Sequence, residues 1–441
     1  MIQLVRRGLR PVFQRAPRLR SLALDLLDLA ARPVLLPFRL GRPDVNAAAA
    51  DAIEQRTDEL NAAAETYYTA HADADHVLAK PFSEPESLAR RLIDVGVLID
   101  GLRLRPGHTV LELGAGSCWL SHMLNRFGCP TIAVDVSPTA LSLGRTLFER
   151  HPDTNWSLEP RFLTYDGHTL PLATGSVDRA VMYDAYHHAP NPAEILREVR
   201  RVLHADGIFA MSEPGRGHAS SGPSRTEAAS TGVLENELTI ESIAELAVSC
   251  GFAAARVVVA SHTPLLEIDA LDLRRFMGGR GFARYWRNLC AELDGHHYLL
   301  LFAGNPEPTT SQPRRLKAVI GLVSGERRSV LPRNEQRRMI FDIHNAGDTV
   351  WLAGERQPGW TRFGAHLYRA DRSRTLVDFD WLRVQLPEDV MPERSVRVDV
   401  TIPSIEPPGD YLLVFDLVIE GVAWFADRGS MPLEVDWRVT T

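Results

Sequence analysis

A glycine-rich turn between two strand-like segments constrains the fold of this chain more than any other feature. It lies in VLELGAGSCWLS, residues 110–121, and AVDVS follows at residues 133–137. Gly114 and Gly116 allow the backbone to bend sharply and to approach a ligand without a side chain in the way. Asp135 follows the turn by about 20 residues, the length of one helix and one strand, so its carboxylate can reach a ribose at the carboxyl edge of a sheet.

The same motif fits a cofactor without phosphates better than a dinucleotide. A dinucleotide fingerprint requires a third glycine where this chain has Trp119. Glu112, two residues before the first glycine, would repel a phosphate but suits a cation or an amino group. The pattern therefore indicates a nucleoside with a positive centre and no phosphates, which describes S-adenosylmethionine. An ordinary strand–turn–helix corner is the alternative interpretation.

Two downstream segments continue the alternation of strands and helices. They are YDGHTLPLATGSVDRAVMYDAYHHAP, residues 165–190, and PAEILREVRRVLHADGIFAMSEPG, residues 192–215. Apolar residues at helical spacing predict a helix from Glu194 to Leu203. Asp206-Gly207 predicts a turn into a strand from Ile208 to Met211. Further along, a strand is predicted from Ala255 to Ser261 and a mainly helical stretch from Asp269 to Leu293.

Taken together, residues 102–215 resemble the class I S-adenosylmethionine-dependent methyltransferases, in the broad group of the ubiquinone-biosynthesis methyltransferases. The resemblance weakens towards residue 304. It implies that Glu112 helps to hold the amino group of the cofactor, Asp135 binds both ribose hydroxyls, and Asp166 accepts from the adenine amino group. The cofactor-binding residues that it implies are Glu112, Gly114, Ala115, Gly116, Asp135, Val136, Asp166, Gly167 and Asp184.

The end of the fourth predicted strand is expected to face the methyl acceptor. The methyl group of a sulfonium is already activated, so an in-line approach of the acceptor is the main requirement, and a hydroxyl acceptor also benefits from a base. His188 is the first candidate for this base and His187 the second. Alternatively, one ring orients a loop and proximity alone suffices. The candidates for contact with the acceptor are Tyr68, Glu213, Arg216 and His218, whose alternative roles are helix packing and a mobile surface loop.

The length of 441 residues predicts two or more domains. The first is predicted to be α/β, with a Rossmann-like, doubly wound sheet of about seven strands and an N-terminal helical lid. Alternating strands after residue 316 predict an all-β sandwich. The predicted organisation is a basic amphipathic segment at 1–45, a helical lid at 46–101, a methyltransferase domain at 102–304, a linker at 305–316 and a β-sandwich at 317–441.

The first 40 residues contain eight arginines and two aspartates around a leucine-rich stretch. Charges and prolines interrupt this stretch, so it is neither a spanning helix nor a good secretory signal. A basic amphipathic helix on an anionic membrane surface is one interpretation, and a solvated helix packed on its own domain is the other.

The C-terminal stretch resembles immunoglobulin-like modules of bacterial glycan-assembly proteins. The resemblance is carried by HNAGDTVW, residues 344–351, and PPGDYLLVFDLV, residues 407–418. Its five tryptophans either pack in the core of the sandwich or stack on sugar rings, and core or rim packing is favoured for each. The segment from Val422 to Gly429, with Trp424, is the expected place for an exception.

The net charge of −7 argues against a nucleic-acid partner, and four scattered cysteines predict neither a disulfide framework nor a metal site. We therefore expect a cytoplasmic enzyme, peripheral at the inner face of the membrane if its N-terminal segment binds there. The favoured function is O-methylation of a sugar in a bacterial surface polysaccharide or its lipid-linked precursor. The alternatives are methylation of a small molecule or quinone-like lipid, and a non-catalytic protein of glycan assembly or binding.

Overall fold

The computed structural model describes residue 53 and residues 56–70, 75–237, 239–260, 270, 273–277, 279, 282–354 and 359–441. The chain divides into two compact units, Met1–Asn305 and Pro306–Thr441. The predicted basic segment at 1–45 and the beginning of the predicted lid lie outside the described residues. In the part of the chain that is described, no helix is both long and apolar enough to cross a membrane.

The first unit is built on a seven-stranded sheet. Its strands are β1 (Val110–Leu113), β2 (Thr131–Asp135), β3 (Arg161–Thr164), β4 (Val177–Tyr183), β5 (Leu203–Pro214), β6 (Ala254–Val257) and β7 (His296–Phe302). The strand order is β3-β2-β1-β4-β5-β7-β6, and β7 runs antiparallel to β5 and β6. β1 and β2 are buried along their whole length, as is typical of parallel strands covered on both faces.

Helices cover both faces of this sheet. In the described residues they are α1 (Thr57–Ala70), α2 (Asp75–Leu78), α3 (Pro85–Gly101), α4 (Trp119–Arg126), α5 (Pro138–Arg150), α6 (Pro192–Val202), α7 (Gly222–Thr231), α8 (Ile240–Ser249), α9 (Leu273–Met277) and α10 (Phe282–Gly295). Val181 and Ile208 share one core cluster with residues of α3 and α4. Ala180 and Phe209, on the opposite face, share another with residues of α6 and α8. The predicted Rossmann-like sheet with helices on both faces is confirmed.

Three local predictions for this unit need correction. The predicted turn at Asp206-Gly207 lies inside β5, which begins already at Leu203 and shifts register against β4. A glycine and an acid normally break a strand, but pairing with the neighbouring strand dominates here. The strand expected from Ala255 to Ser261 is β6 and ends at Val257. The helix expected from Asp269 to Leu293 is divided into α9 and α10.

The second unit contains two sheets around one core. Its strands are β8 (Ala318–Ser324), β9 (Arg328–Pro332), β10 (Arg337–Asn345), β11 (Thr361–Arg369), β12 (Leu376–Gln385), β13 (Ser395–Ile402), β14 (Gly409–Ile419), β15 (Ala423–Trp424) and β16 (Leu433–Thr440). The sheet orders are β13-β10-β8 and β12-β11-β14-β16-β9, with β15 beside β14. The ring of Phe341 in the first sheet lies 4.9 Å from Phe363 and 4.7 Å from Phe415 in the second. The two sheets therefore pack face to face, as expected for an all-β region.

Part of the predicted linker packs within this second unit. Thr310 is buried, its N–H donates to the carbonyl of Val350 (2.9 Å), and its Oγ1 accepts from the N–H of Leu352 (3.0 Å). Leu316 is buried in the same core. The low apolar content of residues 305–316 gave no indication of the Thr310 contacts, because these contacts use backbone groups and one hydroxyl.

The tryptophans of the second unit mostly follow the predicted packing. Trp351, Trp424 and Trp437 are buried, whereas Trp360 and Trp381 are half-buried. The expectation of an exposed ring at Trp424 is wrong: the indole lies 4.0 Å from the ring of His366, and the guanidinium of Arg383 covers it at 4.2 Å.

Candidate active site

The carboxyl end of β1 continues into the glycine turn. Gly114 has φ of 70° and Gly116 has φ of 50°, in the left-handed region that favours glycine. A Cβ on Gly114 would lie 2.7 Å from the Cβ of Ala185, and a Cβ on Gly116 would overlap the hydroxyl of Tyr68. Neither position has room for a side chain, and Ala115 between them is buried.

Asp135 ends β2 beside this turn. Its Oδ2 accepts from the N–H of Gly116 (2.8 Å) and its Oδ1 from the N–H of Ser137 (2.9 Å). Burial raises the pKa of this carboxyl, while the backbone hydrogen bonds act in the opposite direction. The structure thus brings the predicted ribose carboxylate next to the glycine turn. Val136, which follows it, is half-buried.

Glu112 lies within β1 and faces the beginning of α4. Its Oε2 accepts from the N–H of Ser121 (2.7 Å) and also from the hydroxyl of the same serine. Burial raises the pKa of Glu112 to about 8 despite these hydrogen bonds. Contact with the amino group of a cofactor stays a prediction for this residue.

The loop after β3 forms another part of the same sheet edge. Asp166 is exposed, and its Oδ1 accepts from the N–H groups of His168 and Thr169 (both 2.8 Å), which lowers its pKa. Gly167 has φ of 86°, and its missing Cβ would collide with the side-chain amide of Asn61. The predicted adenine end therefore lies beneath a residue of α1.

Helix α1 presents three polar side chains to the carboxyl edge of the sheet. Asn61 lies over Gly167, and Tyr68 lies over Gly116. Glu65, between them, accepts from the hydroxyls of Ser137 and Thr139 (both 2.5 Å). Asn61, Glu65 and Tyr68 are spaced to share one face of a helix. We predicted Tyr68 but missed Asn61 and Glu65, although this spacing was the available signal.

The loop after β4 is held by Glu213. Asp184 begins this loop with φ of 53°, a strained conformation for a residue other than glycine, and is exposed. Glu213 Oε1 accepts from the N–H groups of Ala185 (3.1 Å) and Tyr186 (2.9 Å). Its Oε2 accepts from Nδ1 of His187 (2.8 Å).

The expected direct contact of Glu213 with an acceptor does not agree with this placement. Its side chain is 1% exposed, and both oxygens bind the loop after β4. The sequence suggested contact because Glu213 lies near the carboxyl end of β5. Strand position alone does not show which neighbour a carboxylate uses. Glu213 orients the loop and the imidazole of His187 instead.

The two neighbouring histidines have defined tautomers. Nδ1 of His187 donates to Glu213, and Nδ1 of His188 donates to the carbonyl of Leu234 (2.7 Å). Burial lowers the pKa of His187, but the hydrogen bond and charge of Glu213 outweigh it and raise the pKa. Burial and the charge of His187 lower the pKa of His188. His188 is thus a neutral imidazole with its Nε2 lone pair free, and its side chain is 35% exposed.

Glu235 joins the histidines to the loop after β5. Its Oε2 lies 2.8 Å from Nε2 of His218 and 3.9 Å from Nε2 of His187. Its Oε1 lies 3.7 Å from Nδ1 of His188. Glu235 was missed, because an acid in a polar loop gives no sequence signal of its own. His218, which was predicted to contact the methyl acceptor, belongs to this cluster.

Arg216 does not belong to this cluster. Its Nε donates to Oδ1 of Asp294 (3.0 Å) and its N–H to the carbonyl of the same residue (2.7 Å). These contacts join the end of β5 to α10. A contact of Arg216 with an acceptor stays a prediction.

Comparisons with known proteins cover the part of the chain that contains most of this site. Residues 111–211 match the family described as "Methyltransferase domain". A 37.1 kDa protein of unknown function from a transposon of Streptomyces fradiae is 30% identical over 172 residues, 37% of this chain and 48% of that protein. A probable S-adenosylmethionine-dependent methyltransferase of Mycobacterium tuberculosis is 28% identical, over 38% of this chain and 58% of its own length. The chain spans about half the length of these relatives.

Residues 111–211 are an S-adenosylmethionine-dependent methyltransferase domain. This segment runs from Leu111 in β1 to Met211 in β5, and so contains both the glycine turn and the two histidines. Among solved structures, phosphoethanolamine N-methyltransferase 2 of Haemonchus contortus with bound S-adenosyl-L-methionine is 17% identical, over 49% of this chain and 52% of its own, with a TM-score of 0.35.

The residues at this edge fit such a cofactor in charge and in hydrogen-bonding groups. The turn at Gly114 and Gly116 offers close approach to backbone, and the buried carboxylate of Asp135 lies beside it. The side-chain nitrogen of Asn61 is buried and has no hydrogen-bond partner, so it is a donor available to a ligand. A buried carboxylate and an unpaired amide suit ribose hydroxyls and a nucleobase.

Proposed function

We propose that the protein is an S-adenosylmethionine-dependent methyltransferase that O-methylates a sugar of a bacterial surface polysaccharide or its lipid-linked precursor. The observation that carries the hydroxyl acceptor is the free Nε2 of His188 in the loop that follows β4. Ala185 of this loop lies against Gly114, so the loop that carries the histidines adjoins the glycine turn, and we call this part of the sheet edge the cleft. The bound cofactor would supply an activated methyl group at this cleft.

We assign the cofactor to the residues already predicted. Asp135 would bind the ribose hydroxyls, Gly114 and Gly116 would pass under the methionine portion, and Asp166 would accept from the adenine amino group. Tyr68 and Asn61 on α1 would close the cleft from above, and their positions over Gly116 and Gly167 support this assignment. Asp184 would line the methionine end.

The proton of the acceptor hydroxyl would move to Nε2 of His188. A neutral imidazole whose Nδ1 already donates to a carbonyl has its lone pair at Nε2, which is the state that a general base requires. The lowered pKa of His188 keeps it neutral at pH 7. His187 is fixed by Glu213 and would act by orientation rather than as the base.

The sugar specificity would come from the second unit, which we propose is immunoglobulin-like. Its two sheets around a shared core support this fold. Trp360 is half-buried, and although the guanidinium of Arg362 covers one face at 3.8 Å, the exposed part of the indole offers an aromatic surface for a sugar ring. We place the protein in the cytoplasm, at the membrane if residues 1–45 bind there.

A small molecule or quinone-like lipid is the second candidate acceptor. A demethylmenaquinone methyltransferase of Renibacterium salmoninarum is 28% identical over 130 residues, 30% of this chain and half of that protein. A non-catalytic protein of glycan assembly is the third candidate. The carboxylate of Asp135, hydrogen-bonded to the glycine turn, argues against this third candidate, because a degenerate domain has no need of a buried carboxylate.

Mass spectrometry of surface glycans tests the acceptor. Cells with the wild-type protein should carry a methylated sugar that is absent from deletion cells and from cells with Asp135→Ala. Purified protein with deuterium-labelled cofactor should transfer the label to the demethylated glycan. Label on an extracted quinone or metabolite instead would select the second candidate, and no label on any acceptor despite cofactor binding would select the third.

A chain ending at Asn305 tests the part played by the second unit. Because the two units have separate cores, this chain should fold and bind the cofactor with unchanged affinity. It should lose activity on the polymer but retain activity on a short sugar acceptor. Equal loss on both acceptors would argue against a glycan-binding role for the second unit.

A further inference from the structure

The histidine cluster after β4 contains more ligand groups than a single base requires. One ligand atom each from His187, His188 and Glu235 lies within 4.8 Å of the others, a group that could hold a metal ion in the described part of the chain. We propose that these three residues bind a divalent transition-metal ion of the zinc type at the acceptor end of the cleft.

Both imidazoles are held in the way that metal-ligating histidines are. Such a histidine usually donates its second ring N–H to a carboxylate or a backbone carbonyl, which fixes the tautomer and leaves the other nitrogen free. His187 donates from Nδ1 to Glu213, and His188 donates from Nδ1 to the carbonyl of Leu234. In each ring the nitrogen left to face a metal is therefore Nε2.

Glu235 supplies the third group. Its side chain is 6% exposed, and its Oε2 receives no hydrogen bond of good geometry, although Nε2 of His218 lies 2.8 Å away. Buried carboxylates are normally paired fully or coordinate a metal. Two imidazole nitrogens and one carboxylate oxygen are the ligand set of several catalytic zinc sites, which keep a further position open.

The distances require only a small closure. Nε2 of His187 lies 3.9 Å from Oε2 of Glu235. Ligand atoms of a tetrahedral site with bonds near 2.1 Å lie about 3.4 Å apart, so this pair needs a shift of about half an ångström, and no pair within the 4.8 Å spread of the three atoms needs more than about 1.4 Å. Glu213 and Asp184 add negative charge around the site, which favours a divalent cation over an empty cluster.

The metal site would also add to the proposed function, and this one consequence for the acceptor hydroxyl rests on that function. An acceptor hydroxyl at the open position of the metal would lose its proton more readily than in water. With the metal bound, Nε2 of His188 serves as a ligand and the proton of the hydroxyl would pass to solvent, whereas in the metal-free chain it would pass to Nε2 of His188.

Cobalt titration of the full chain, freed of metal by a chelator, tests the site without cofactor or acceptor. We expect one Co²⁺ per chain with the visible absorption of nitrogen and oxygen ligation, and competition by Zn²⁺. Glu235→Gln and His187→Ala should each weaken binding at least tenfold, and Glu213→Gln about tenfold, the usual effect of an orienting partner. His204→Ala is the matched control, since His204 lies near the start of β5 at the opposite edge of the sheet, and should bind as the wild type does.

Absence of saturable Co²⁺ binding by the wild-type chain would overturn the site, and this result needs no variant to fold. Unchanged binding in Glu235→Gln with a wild-type melting curve would overturn it as well. The outcomes separate the site from the proposed function. Methyl transfer by a chain that binds no Co²⁺ leaves the function and rejects the site, whereas metal binding without methyl transfer leaves the site and rejects the function.

Discussion

The glycine-turn end of the cleft and its histidine end lie on adjacent strands of one sheet, yet they are assembled from different kinds of chain segment. At the first end, Gly114, Gly116 and Asp135 come from one strand–turn–helix–strand stretch, and backbone N–H groups satisfy the carboxylate. At the second end, His187 is held by Glu213 from another strand and faces Glu235 from a distant loop.

This difference explains which function each end can carry. A local motif with fixed backbone geometry suits a cofactor that does not change. A cluster gathered from separate loops can vary with the acceptor, because loops tolerate substitution better than strands. The chemistry toward the acceptor is therefore expected to depend on side chains, whereas binding of the cofactor depends on the backbone and one carboxylate.

The largest effect is expected at the histidine end. In the metal-free chain, substitution of His188 by alanine should reduce the single-turnover rate by roughly a hundredfold or more, the usual scale for loss of general-base help. Cofactor affinity should stay within about twofold, because this side chain contributes to chemistry rather than to binding. Rapid-quench measurements at saturating cofactor, with the acceptor that glycan analysis identifies, give both quantities.

His204→Ala is the control for this experiment, since the side chain is half-buried at the other edge of the sheet. His187→Ala should be milder than His188→Ala if its ring mainly orients the loop. A His188→Ala rate within about threefold of the wild type would remove the base and leave positioning as the main source of catalysis.

The next effect concerns the glycine-turn end. Asp135→Ala should weaken cofactor binding by roughly 1.5 to 3 kcal/mol, about ten- to hundredfold, since charged hydrogen bonds to both ribose hydroxyls are lost. Asp166→Ala is the matched comparison, because this carboxylate is exposed where Asp135 is buried. Asp166→Ala should therefore weaken cofactor binding less than Asp135→Ala does. Calorimetry measures the cofactor affinity of both variants. Equal losses of affinity would show that burial of a carboxylate does not determine its contribution to cofactor binding.

How far the sequence predicts each end follows from the same difference. The glycine turn and Asp135 could be predicted because both belong to one short strand–turn–helix–strand stretch of the sequence. Glu235 could not, since its partners His187 and His218 are brought to it by tertiary packing of two loops. Glu213 was predicted to contact the methyl acceptor, but its side chain holds the loop after β4 instead.

The second unit shows a related limit. Alternation predicted β13 and β16, whose side chains are buried and exposed in strict turn. The hydrogen bonds of Thr310 to the backbone of Val350 and Leu352 could not be predicted, because a polar segment rich in proline has the composition of a linker. The composition of a segment indicates how much apolar surface it can bury, but not which backbone hydrogen bonds it forms.

A pH experiment sharpens the account of the glycine-turn end. Burial raises the pKa of Glu112 from 4.5 to about 8. A raised pKa means that the folded protein holds this proton more tightly, so the stability from Glu112 is full below about pH 4.5 and is lost as the pH rises towards about 8. In the cofactor-free protein, the melting temperature should therefore fall more between these limits for the wild type than for Glu112→Gln. We expect a difference of about 1 kcal/mol or more, a few degrees for a unit of this size.

Exposed Glu149→Gln is the control for that experiment, because an acid at the surface should leave the pH profile of the wild type intact. Parallel melting curves for the wild type and Glu112→Gln would show that the Glu112 proton is not linked to folding.

The smallest effect is expected above the glycine turn. The hydroxyl of Tyr68 lies over Gly116, where it can hydrogen-bond to the methionine portion of the cofactor. Tyr68→Phe removes this one group and keeps the ring, so affinity should fall by about 0.5 to 1.5 kcal/mol, roughly two- to tenfold. Tyr67→Phe is the matched control: its ring meets that of Tyr68 edge-on at 5.1 Å, and its loss of a hydroxyl should change affinity less than twofold, about 0.4 kcal/mol. Equal losses in the two variants would mean that α1 affects the cofactor through packing of the helix and not through a contact of Tyr68. The glycine-turn end would then owe its affinity to Asp135 and the backbone alone.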